Sequence, residues 1–246
     1  MSIDMSKFGT LDTSGLSFLE QLELREGIMP HVEREEEPEE DTSLTGHTVM
    51  QSAAVRRYVW RRASSEMELL DSFTLPIIMP FLKGTAYQFM TRGDVDALSF
   101  MKLILRMQNV IYAIVSTWCV DMNDIKTMKQ WVDDGRIERL DLYLGEIYTT
   151  GRHGLEAADF QAVFEGYENV KVVVARNHSK VMAMTGQDFY CFVQTSANIN
   201  TNPRIESTTI LVPDDATGAL LMDFYREFFR TVKPLTRNPP PRDDNA

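Results

Sequence analysis

Cysteine is nearly missing from this 246-residue chain: Cys119 and Cys191 are the two present, and both lie inside apolar runs. Two such thiols cannot make a disulfide framework, so a reducing compartment is expected. Long hydrophobic runs are missing too. The longest, "TLPIIMPFL" at 74–82, is too short to span a bilayer and holds two prolines. The opening "MSIDMSKFGT" has no basic flank leading into an apolar run, so no secretory signal is readable. These absences together predict a soluble, cytoplasmic protein without a membrane partner. Basic residues are also short, with 25 Lys and Arg against 36 Asp and Glu and a net charge of −11. That balance would argue against nucleic acid if it were spread evenly. Residues 1–45 alone carry −9, however, and residues 233–246 carry +1, which leaves −3 for 46–232. The body is therefore close to neutral.

What is present predicts an α/β protein with a mixed β-sheet covered by helices. The acidic block "VEREEEPEED" at 32–41 repels itself, so 1–45 is expected to lack fixed structure, with "LSFLEQLEL" at 16–24 as a possible short docking helix. Residues 46–84 are expected to be a helical segment packed on the core. Within them 48–72 has helix-favouring composition and no glycine or proline. From 85 to 232 strands and helices alternate. "AYQFMT", "VIYAIVST", "RLDLYLGEIY" and "VKVVVAR" read as strands, and three helices separate them, with Asp94 expected to cap the first. The strands "HSKVMAM", "DFYCFVQT" and "STTILVP" follow, then the helix "TGALLMDFYREFFRTV" and a tail over 233–246.

Two polar pairs interrupt this apolar pattern. Side chains two apart on a strand share a face, so His178 and Lys180 are expected to project together, and Ser196 and Asn198 follow one strand later. A nucleophile or base, a cation and neutral donors in one place suit a phosphoryl group. Its transition state spreads negative charge over oxygens and is stabilised by positioned cations and donors. Imidazole can also attack phosphorus, dividing one hard displacement into two. A lone histidine on a strand is more often structural; the second polar pair at a strand end is what favours chemistry.

His178-x-Lys180, then "TSANIN" and "NPRIE", resembles the phospholipase D superfamily signature of His-x-Lys, Gly-Ser-x-Asn and a downstream Glu. The resemblance implies a phospholipase D-like α/β domain over 85–232. It implies His178 as nucleophile, Lys180 and Asn198 as phosphoryl ligands, Ser196 as a supporting donor and Glu206 as a carboxylate that orients imidazole. It implies no metal and no cofactor, in keeping with the lack of a His/Cys/Asp cluster at metal-ligand spacing. Two positions depart: Thr185 stands where the family has Asp, with Asp188 displaced by three, and Thr195 stands where it has Gly. The family's chemistry uses two histidines, whereas His31, His47 and His153 here lack a following x-Lys. A homodimer pairing two His178 side chains is therefore expected.

Ligands gather at the carboxyl ends of strands in α/β sheets, which nominates Arg92, Thr117, Trp118 and Glu146 as substrate-binding residues. "RRYVWRR" at 56–62 sets Arg56, Arg57, Arg61 and Arg62 around Tyr58 and Trp60, a mixture suited to phosphate contact and base stacking, or to a solvated helix face. The expected function is a metal-independent phosphodiesterase, a nuclease-like hydrolase acting on nucleic acid. The alternatives are a catalytically inactive relative that binds nucleic acid or a protein partner, and an interaction protein that works through its acidic tail.

Overall fold

In the computed structural model, the structure describes residues 57–71, 80–149, 156–200 and 204–235. The acidic 1–45 segment, Arg56, and the tail beyond 235 lie outside them. Eight strands form one mixed sheet: β1 (Arg57–Ser65), β2 (Thr85–Asp94), β3 (Val110–Thr117), β4 (Ile137–Gly145), β5 (Val170–Ala175), β6 (Val181–Gly186), β7 (Tyr190–Thr195) and β8 (Ile205–Val212). Their order across the sheet is β1-β2-β8-β7-β6-β3-β4-β5. β1 runs parallel to β2, and β3, β4 and β5 are parallel to one another, while β6, β7 and β8 join these two blocks through antiparallel pairs. The helices are α1 (Glu66–Asp71), α2 (Ala97–Leu105), α3 (Met122–Asp133), α4 (Ala157–Val163) and α5 (Asp215–Arg230), with a 3₁₀ turn at Glu146–Thr149. The expected α/β class and the mixed sheet covered by helices are what the chain forms.

Local chemistry accounts for the element ends. Asp96, rather than the expected Asp94, caps α2 by accepting from the Ser99 amide, and Asp121 caps α3 by accepting from the Asn123 amide. α2 is buried almost all round, from Ala97 to Leu105 with Lys102 the exception, because it packs between the sheet and neighbouring elements. The α5 helix begins at Asp214, whose carboxylate accepts from Thr217.

One expectation fails outright. Residues 57–65 form a strand, not part of a helix over 48–72. Val59 and Ala63 are buried while Tyr58 and Trp60 are exposed, a period of two that the helix-favouring Arg and Ala residues obscured. Pairing with β2 along nearly its whole length makes β1 an edge strand of the same sheet, so residues 57–71 belong to the α/β layer rather than to a helical annex.

The two faces of the sheet carry separate cores. On one, Val59, Ala63, Tyr87, Phe89, Val115, Leu142, Leu144, Met182 and Val193 pack with α1 to α4. On the other, Ile114, Tyr143, Val173, Ala183 and Phe192 pack with Met222 and Phe229 of α5. Because paired residues share a face, this assignment fixes where every strand side chain points.

Candidate active site

The carboxyl ends of β2, β3, β4 and β5 and the entry into β6 lie at one end of the sheet, and four of the five expected catalytic residues have side-chain geometry that meets there. His178 and Lys180 are not on a strand as expected. They occupy the β5–β6 loop, since β6 begins at Val181. Polar Asn177, Ser179 and Lys180 bond locally there, which competes with ladder pairing. His178 is exposed, and its ring lies against Trp118 with centroids 5.4 Å apart at 43°. Lys180 is half-buried; its ammonium donates to the His178 carbonyl at 3.1 Å, and its own carbonyl accepts from the Thr195 amide at 3.1 Å. Burial lowers the Lys180 pKa from the ordinary lysine value, and the neighbouring Glu206 charge opposes that shift.

Glu206 is 7% exposed and sits opposite Thr91 on β2. Its carboxylate accepts a hydrogen bond from the Ser196 hydroxyl, which in turn accepts from the Ser207 amide at 2.9 Å. Asn198 is held through its carbonyl, which accepts from the Ala97 amide at 3.1 Å, while its side-chain oxygen is buried without a hydrogen-bond partner. A buried amide left uncommitted in this way is costly to a fold unless something else engages it. Lys180, Glu206, Ser196 and Asn198 thus converge, with the His178–Trp118 pair beside them.

The residues that place His178 were not singled out from sequence. Asn177 donates through Nδ2 to the Tyr143 carbonyl and to Ser116 Oγ, each at 2.9 Å, and accepts through Oδ1 from the Ser179 amide at 3.0 Å and hydroxyl at 2.7 Å. Its own amide donates to Glu146 at 3.1 Å. One side chain therefore ties the histidine loop to the ends of β3 and β4. Its sequence signal is an Asn directly after a strand with Ser two residues on, the pattern of an Asx turn. Gly145 is the second: a Cβ there would meet the Trp118 carbonyl oxygen at 2.4 Å and its ring at 2.6 Å, so glycine lets the Trp118 segment pass over β4.

The secondary candidates separate. Trp118 touches His178, and Glu146 anchors its loop. Thr117 is buried and its hydroxyl is committed, donating to the Cys119 carbonyl at 2.8 Å and accepting from the Ile199 amide at 3.3 Å. That ties the end of β3 to the loop carrying Asn198. Arg92 is exposed on the face of β2 opposite Glu206, paired with Ile205. Arg57 starts β1 beside Thr85, at the other end of the sheet. The Thr195 hydroxyl shares a hydrogen bond with Thr208 at 2.6 Å and accepts from the Ala197 amide at 3.1 Å, so this side chain shapes the turn toward Asn198. Thr185 and Asp188 lie at the far end of β6, where the Asp188 amide donates to Gln108. Among the described residues no group of three or more His, Cys, Asp or Glu is placed to hold a metal ion.

No protein-family model matches the chain, and no curated protein matches it. Solved structures do. NucT from Helicobacter pylori is similar at 15% identity and a TM-score of 0.42, over 56% of this chain and 91% of that one. Nuc from Salmonella typhimurium, a phospholipase D family member, is similar at 11% identity and a TM-score of 0.38, over 55% and 90%. Phosphatidylserine synthase from Haemophilus influenzae Rd KW20 is similar at 10% identity and a TM-score of 0.47, over 62% and 40%. The likeness is one of fold, and chemistry has to come from the residues of this chain. Among its described residues no helix is long and apolar enough to cross a membrane.

Proposed function

We propose that this protein is a metal-independent phosphodiesterase that works through a phosphohistidine intermediate, on nucleic acid, as a homodimer. The observation that carries the reading is the exposed His178 ring on Trp118 next to the half-buried Lys180 ammonium, with Ser196 and Asn198 on the adjoining loop. His178 attacks phosphorus as the bond to the leaving oxygen breaks; the His178 of a second copy protonates that oxygen. Water, deprotonated by that same second imidazole, then cleaves the phosphorus–nitrogen bond and restores both histidines. Lys180 and Asn198 hold the non-bridging oxygens, where negative charge develops. Glu206 keeps the Ser196 hydroxyl in place and supports the charge on Lys180.

The test is hydrolysis of a chromogenic phosphodiester and of single- and double-stranded DNA in excess EDTA, by the full chain and by His178→Ala. EDTA-resistant turnover that disappears in the variant, with acid-labile phosphate trapped on the wild type, is expected. No turnover by a folded dimer would refute the catalytic reading and leave a binding protein.

A further inference from the structure

The face of the sheet that carries α5 is only half covered. Gly218 lies against the Tyr190 ring, Tyr225 stacks on Phe192 at 5.7 Å and accepts from Gln194 at 3.0 Å, and Phe229 meets Tyr143 at 4.5 Å. The helix therefore lies over β7, β6, β3 and β4. The same face continues across β8, β2 and β1, and no helix among the described residues packs there. Register places Tyr58, Trp60, Met90 and Ile205 on that stretch, and they are 40–69% exposed. The helix repeats the pattern on its outer side. Leu220, Phe224 and Phe228 recur every four residues, opposite Met222 and Phe229 in the core, and are 57–60% exposed. Seven large side chains, each exposing roughly 100 Å², leave roughly 700 Å² of apolar surface on one side of the molecule. That exceeds the few hundred Å² of apolar patch usual on a monomer, and it is close to the ~800 Å² each partner contributes to a standard stable interface.

We propose that a second copy of this chain covers both surfaces at once, with the Leu220/Phe224/Phe228 stripe of each copy packed on the bare β1-β2-β8 half of the other. An isologous contact is self-complementary, and here each copy offers one helix and one gap. Face-to-face sheets can be related by a two-fold axis along the strands or by one across them. An axis across the strands stacks helix on helix and gap on gap. An axis along the strands sets each helix into the other copy's gap, giving layers of helices, sheet, paired α5 helices, sheet, helices. That same axis keeps equivalent strand ends on the same side.

The boundary between covered and bare halves falls between β7 and β8, where Ser196 meets Glu206 and Lys180 enters β6. Such an axis therefore brings two candidate sites next to each other. This deepens the proposed function and rests on it only for the use to which the paired histidines are put; the packing of the apolar surfaces stands apart from the chemistry.

The experiment is sedimentation equilibrium on the full chain at micromolar concentration, with Phe224→Glu on the stripe and Met90→Lys on the bare sheet. Both positions are exposed, so far-UV circular dichroism should match the wild type. The wild type should be a dimer, and each variant should dissociate at least about tenfold more readily, since burying an unpaired charge opposes association. A monomeric wild type, or a dimer indifferent to either substitution, would overturn the proposal. So would a monomeric full chain that dimerises only after deletion of residues 1–56, because the chain's own segment would then be the occupant. A charge-sensitive dimer without phosphodiesterase activity would uphold the assembly and refute the chemistry; turnover by a monomer would do the reverse.

Discussion

Replacing Asn177 with alanine removes two donors and one acceptor from the loop that carries His178, without touching His178 itself. Four hydrogen bonds are lost, to the Tyr143 carbonyl, Ser116 Oγ, and the Ser179 amide and hydroxyl, at 2.7–3.0 Å. At about 0.5–1.5 kcal/mol net each they amount to about 2–6 kcal/mol, and the low end applies to the pair with exposed Ser179, which water can replace. About 2–3 kcal/mol of destabilisation is expected in urea unfolding. The catalytic effect is separate. Lys180 and Asn198 remain in place to hold phosphate, so KM should change little, whereas a loosened imidazole should lower kcat by about 10–100-fold. Steady-state kinetics on the chromogenic diester read the split. A stable, fully active Asn177→Ala protein would refute the claim that this side chain positions the histidine, and a rise in KM alone would move its role to substrate binding.

Gly145→Ala forces a methyl into the Trp118 segment and should cost about 1–3 kcal/mol, shift tryptophan emission and reduce turnover; unchanged emission would show that the segment yields freely. Lys180 titrates below the ordinary lysine range because it is buried, so the alkaline limb of kcat/KM should begin below that range. Glu206→Gln removes the charge that opposes this shift, and the limb should then move to still lower pH; an upward move would refute the assignment. Deleting residues 1–45, which carry −9, should tighten DNA binding at low salt, measured by fluorescence anisotropy, and equal affinity would dispose of any competition by the acidic segment.

Periodicity made most of the fold legible. "VIYAIVST" and "VKVVVA" are strands because an unbroken apolar run suits a strand covered on both faces, and the α5 helix announces itself by the spacing of Met222, Tyr225 and Phe229. β1 was hidden because Arg, Ala, Met and Glu around it favour a helix, and what decides its state is the neighbouring β2, eleven residues or more beyond the strand in sequence and invisible to local propensity. The candidate site was legible as a set of residues and not as a geometry. His178 and Lys180 read as one strand face, whereas Asn177 and Ser179 hold a loop there, and the partners of Asn177 come from β3 and β4, more than 30 residues away. Close approach of Gly145 to Trp118 likewise exists only once two separate strands are side by side.

The strand order sets a timetable. β1 with β2, and β3 with β4 and β5, are two blocks made by the earlier part of the chain, and they share no ladder with each other. What joins them is β6, β7 and β8, the last strands to leave the ribosome, with β8 inserting beside β2 only after more than 110 residues have intervened. Closing so long a loop makes that insertion late. Lys180, Ser196, Asn198 and Glu206 all ride on these closing strands and their loops, so the nascent chain holds its catalytic groups apart until the sheet is sealed.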